Sequence, residues 1–193
     1  MSLAFLLAFA AAAASNTDPL AIQAVHNYGA CIAQQTPRGV RSVLSMDYRS
    51  PDYEKKLWSI IRGHDRCMPF DGRLGSETLL FAGAMAEAIL KADVSGTELP
   101  RRLAYDPGRE LIAARSPMEA MALCTVMKAP EVTSKVLATK PATRDEIEAM
   151  KPLGPVLGEC LQKDVKLEVN KPALRSLLAL AAWRIVTTPR KPS

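Results

Sequence analysis

Four cysteines constrain this chain more than any other feature, because they occur as two pairs in the same register. Adding 93 to Cys31 gives Cys124, and adding 93 to Cys67 gives Cys160, with no gap needed between them. The same shift lays Pro37 on Pro130, Val43 on Val136, Leu44 on Leu137, Asp52 on Asp145 and Leu74 on Leu167, and near the end Ala86 on Ala179 and Ala88 on Ala181. We read this as a tandem duplication in which each copy owns one cysteine pair. Four cysteines allow three connectivities. A single ancestral unit needs an internal bond, so the duplication selects Cys31–Cys67 and Cys124–Cys160. Each bond closes a loop of 36 residues, for which chain entropy gives about 3.8 kcal/mol.

Disulfides imply an oxidising compartment, and the N-terminus agrees. Leu3 to Ala14 is an apolar run ending in small residues and followed by polar Ser15 to Asp18. It suits a secretory signal over 1–15 and is short for a membrane span. No transmembrane segment is expected in the mature chain, and the protein is placed in the periplasm or outside the cell.

Ala and Leu are abundant and aromatic residues are only 5% of the chain, a composition that favours helices over sheets. The fold class is therefore mainly all-α, a single helical domain over 16–186. It comprises two pseudo-symmetric four-helix units, repeat 1 at 18–92 and repeat 2 at 110–186, joined by a linker at 93–109. Cap residues followed by proline mark the helix starts: Asp18-Pro19, Thr36-Pro37, Ser50-Pro51 and Ser116-Pro117. The third helix of repeat 1 carries the stripe Tyr53, Leu57, Ile60 or Ile61, and His64. Ser76 caps its fourth. In repeat 2 the third helix is interrupted by Pro152 and Pro155, and Glu110 to Arg115 is assigned to the start of the first. Alternation at Val165, Leu167 and Val169 reads as a short strand, paired with Arg73 to Gly75 in a small two-stranded element. Residues 187–193 read as a disordered basic tail.

The paired cysteines, the Val-Leu of the second helix and the Ala-rich last helix together resemble a group of uncharacterised exported alphaproteobacterial proteins. The resemblance is one of pattern over most of the mature chain. It implies an envelope location and a helical fold, and it carries no catalytic motif.

Chemistry has few anchors. His26, Cys31, His64 and Cys67 have the number and type of ligands a closed zinc site needs. The second copy keeps the cysteines but has Glu119 and Leu157 at the histidine positions, and exported cysteine pairs oxidise, so neither metal nor cofactor is expected. With two histidines and no Gly-x-Ser-x-Gly, no catalytic residue is assigned and the reading leans against an enzyme. A polar or anion site is placed at Arg62, His64 and Arg66, and at linker residues Arg101, Arg102 and Arg109. Positive charge is concentrated late, with 16 Lys/Arg against 10 Asp/Glu after residue 100. No basic run interleaved with aromatics points to nucleic acid.

Surface contact therefore ranks first: a non-enzymatic interaction or accessory protein of the cell envelope, meeting another protein or an anionic envelope component. The second reading is a small-ligand binder using the cleft between the repeats.

Overall fold

The computed structural model describes residues 18–68, 77–161 and 169–191. The signal segment, the 73–75 and 165–168 stretches of the two-stranded element and Ser76 lie outside these residues. Within them the chain is mostly helical. The first unit holds α1 (Pro19–Gln35), α2 (Pro37–Leu44), α3 (Pro51–Arg62), a 3-10 turn (Asp65–Cys67) and α4 (Thr78–Asp93). A short α5 (Leu99–Leu103) lies in the linker. The second unit holds α6 (Pro117–Lys128), α7 (Pro130–Ala138), α8 (Arg144–Met150), α9 (Leu153–Cys160) and α10 (Lys171–Thr187).

Helix starts recur at the spacing of the cysteines: α2 and α7 begin at 37 and 130, α3 and α8 at 51 and 144, α4 and α10 at 78 and 171. Local chemistry explains this. Ser50 Oγ accepts the amide of Tyr53, and Thr143 Oγ1 accepts that of Glu146, each satisfying an otherwise unpaired first-turn donor. Thr36 and Ala129 adopt nearly the same hinge, with φ −133° and −128°. Disulfides join Cys31 to Cys67 and Cys124 to Cys160, each pair with its Cα atoms 5.7 Å apart. The Pro152 interruption splits the third helix of the second unit into α8 and α9, as the sequence predicts.

The core is organised around α4. It packs along α1 on one side and α10 on the other, and every residue from Leu80 to Glu87 is buried. A helix apolar on all sides has to be enclosed in this way. Two glycines permit the close approach. A Cβ on Gly83 would lie 2.5 Å from Ser176 Cα, and one on Gly29 would lie 2.6 Å from Ala84 Cβ. Gly83→Ala is expected to push α4 off α10 and cost about 1–3 kcal/mol, read as a lower urea midpoint with an unchanged slope.

Several expectations need correction. Residues 110–115 are not helical: Ser116 caps α6 and Pro117 starts it. The cap of α4 is Glu77, which makes no side-chain cap bond. Thr36 is the cap residue of α2 but makes no side-chain cap bond; its hydroxyl is 2.6 Å from His64 Nε2 instead. His64 lies beyond α3, which ends at Arg62. Residues 187–191 are not a free tail. Thr187 ends α10, and 189–191 run antiparallel to the linker. The Glu110 amide donates to Pro189 O, and the Lys191 amide to Gly108 O. Backbone pairing with 108–110 outweighs the polar composition of this segment.

Candidate functional site: a cavity and its filled counterpart

The linker and turn arginines occupy two separate places. Arg62 donates back to Trp58 O at the end of α3. The other ring nitrogen of His64, Nδ1, lies 2.7 Å from Ile60 O, so both nitrogens are engaged by Thr36 and Ile60 and neither by Asp65. Arg66 borders an open hollow of about 430 Å³ lined by only five described residues. Arg101 pairs with Glu98 on the surface. Arg102 donates to Val186 O and Arg109 to Arg102 O, while Arg190 pairs with Asp106. Of these, Arg102 reaches the last turn of α10, where carbonyls carry partial negative charge. The other bonds hold the linker to itself and to residue 190. Cys31 and Cys67 are joined in the disulfide that the duplication selects and have no thiolate to offer.

The sequence reading missed a buried charged network centred on Arg175. Arg175 of α10, 4% exposed, is enclosed with Glu87 of α4 and Glu146 of α8, 1% and 3% exposed. Its guanidinium grips Glu87 bidentately, Nε to Oε2 at 2.8 Å and Nη2 to Oε1 at 2.7 Å. Nη1 donates to Glu146 Oε1 at 2.8 Å and to Val136 O at 3.0 Å. Nη2 also reaches Thr139 O at 2.8 Å. Lys91 Nζ supplies a second cation to Glu87 at 2.7 Å. The other Glu146 oxygen accepts the amide of Ala142, the one non-glycine described residue with positive φ, 55°.

Burial alone would push the Glu87 carboxyl up. The His26 ring and the Arg175 guanidinium overcome that and hold it at about 2. His26 Nε2 is 3.2 Å from Glu87 Oε1 but makes no hydrogen bond, so Arg175 is the stronger restraint. The His26 side chain is itself largely enclosed, 18% exposed.

Shifting this cluster by the 93-residue spacing lands on a cavity of about 270 Å³ at the seam between the units. Arg175 corresponds to Ala82, Glu87 to Leu180 and Glu146 to Tyr53, and all three residues line the cavity. Ala122, Leu177 and Trp183 complete much of its apolar wall. The counterpart space beside Arg175 is only about 20 Å³. One half of the molecule is filled by a charged network, and the other has Ala82 at the position of the long Arg175 side chain and leaves room. A further hollow of about 330 Å³ borders α5.

The rim of the cavity is polar. Glu119 is committed: Arg184 Nη1 pairs with Oε1, and the Arg115 amide donates to Oε2 at 2.6 Å. Arg184 Nη2 also donates to Ala113 O. Arg115 donates from Nη1 to Met46 O at 3.0 Å and lies over the Tyr48 ring, 5.9 Å from its centroid. Tyr53 is 8% exposed. Burial pushes its phenol up to about 12 against the pull of the Arg115 charge.

No protein-family model, curated protein or solved structure matches this chain. Among the described residues no helix is long and apolar enough to cross a membrane.

Proposed function

We propose that this is an exported, non-enzymatic protein that binds a small, largely apolar molecule in the cavity between its two units. The observation that carries this reading is the contrast between about 270 Å³ of open space and about 20 Å³ at the equivalent position of the other half. Interiors close-pack, and an apolar void forfeits the contacts that would fill it. Ala82, Ala122 and Ala181 all face this void, where longer side chains would remove it. Most of the wall comes from the packed helices α4, α6 and α10, which can hold a ligand in one pose. Export is supported by two disulfides and by the apolar N-terminal run. The duplicated cysteine register supports descent from a single-unit ancestor, with the two equivalent spaces since given different contents.

The sequence alone ranks surface contact first, and the cavity moves ligand binding ahead of it. Filling the space is the test. Ala82→Met adds three heavy atoms at a position whose counterpart already carries an arginine. It is expected to keep or raise the thermal midpoint while abolishing binding of octanamide, a neutral probe, in calorimetric titration. Undiminished octanamide binding in the filled variant, or none in the wild type, would count against the reading.

A further inference from the structure

We infer that the cavity takes a small apolar monocarboxylate whose head group is received by the Arg115 guanidinium and the Tyr53 hydroxyl. This rests on the cavity being a ligand site, and it specifies the chemistry of the occupant.

The filled half indicates what is missing from the open one. At the end of the second helix of each unit, a backbone carbonyl meets an arginine. Thr139 O accepts from Arg175 at 2.8 Å, and its counterpart Met46 O accepts from Arg115 at 3.0 Å. The two guanidinium groups come from different elements, α10 in one case and the segment before α6 in the other. Arg175 is met by two carboxylates. Their counterparts are Leu180 and Tyr53, neither of which is anionic, and among the described residues no carboxylate pairs with the Arg115 guanidinium. Asp47, which feels the Arg115 charge, is taken by Arg49 at 2.7 Å. Glu119 and Arg184 neutralise one another, so the charged residues lining the cavity sum to one positive charge, on Arg115. A guanidinium with free donors matches a carboxylate bidentately.

Tyr53 adds a neutral donor. Its hydroxyl has no hydrogen-bond partner among the described residues, and burial keeps it protonated across the physiological range. The first residue of α4, Thr78, and the cap of α6, Ser116, belong to the same lining, and helix N-termini favour negative charge. The rest of the wall is apolar, so the body of the ligand is hydrocarbon. A cavity of about 150 Å³ takes benzene, so this one holds about ten non-hydrogen atoms.

The experiment titrates the full disulfide-bonded chain with octanoate and with its neutral isostere octanamide at neutral pH. Octanoate is expected to bind the wild type roughly tenfold or more tightly than the amide, the contribution of a charge-assisted pair. Arg115→Gln is expected to bring octanoate down to about the affinity of the amide, with a much smaller loss for the amide, whose carbonyl makes only a neutral bond there. Tyr53→Phe, which keeps the ring, is expected to weaken octanoate more than the amide. Equal affinity of the wild type for both probes overturns the inference and leaves the ligand-binding reading standing. So does an Arg115→Gln variant that weakens both probes alike, the mark of a damaged cavity. Binding of neither probe overturns both.

Discussion

Arg175→Met is expected to lower the stability of the protein by about 3–5 kcal/mol, because it strands two carboxylates in a space closed to water. Glu87 and Glu146 are 1% and 3% exposed, and only Lys91 and the His26 ring would remain beside Glu87. The loss comes from the uncompensated charges, so removing them restores most of it. A triple variant with Arg175→Met, Glu87→Leu and Glu146→Met is expected to approach wild-type stability, since a buried ion pair replaced by apolar residues of similar volume is often neutral or better. Urea unfolding of the single and triple variants at neutral pH reads both effects. A single-variant cost below about 1 kcal/mol would mean that water reaches the network in solution.

The same network gives acid sensitivity of a definite sign. Glu87 is held at about 2 in the folded protein, against an ordinary value of 4.5. Above the ordinary value the carboxylate is ionised in both states and its stabilisation is complete. As pH falls below that value the unfolded chain takes the proton first, and the contribution is gone once the folded carboxyl is also protonated, near pH 2. About 3 kcal/mol should disappear across that interval, and the triple variant should lack this share of the pH dependence.

Losing both disulfides is expected to be the larger change. Each bond closes 36 residues, and the pair together constrains the unfolded chain by roughly 7–8 kcal/mol, comparable with the entire net stability of an ordinary domain. Replacing Cys31, Cys67, Cys124 and Cys160 with serine should leave no cooperative unfolding transition at 37 °C. Either pair alone replaced should lower stability by about half as much. The bonds tie α1 to the 3-10 turn beyond α3, and α6 to the end of α9. Equal denaturant midpoints with and without a thiol reductant would contradict this.

Helix starts and cysteine pairing were legible in the sequence because both are written locally or by repetition. Pro19, Pro37, Pro51 and Pro117 each follow a polar cap residue, and the spacing of Cys31 and Cys67 recurs at Cys124 and Cys160. The Arg175 network was not read, since Glu87 lies 88 residues away from it and charges on a helix are usually solvated. A signal was nevertheless present: Glu87 is the one charge in the otherwise apolar run from Leu79 to Leu90. The cavity was harder still. It is made by what Ala82, Ala122 and Ala181 lack, and small side chains look alike in sequence whether they permit close packing, as beside Gly83, or leave a void. The arginine site was placed at Arg62, His64 and Arg66 and at Arg101, Arg102 and Arg109 because clustering along the chain was the only guide. Arg115, single in sequence, gains its importance from the carbonyl of Met46 across the fold.

The seam of α4 against α10 sets how the protein can be taken apart. Each half keeps its own disulfide, so a chain severed between α5 and α6 would leave two internally cross-linked fragments with no covalent tie. What would hold them is that seam, with Gly83 seated on Ser176, and the salt link of Glu87 to Arg175 across it. Complementation between separately produced halves then becomes a direct assay of the interface, and the cavity, which draws wall from both fragments, would exist only in the reassembled pair.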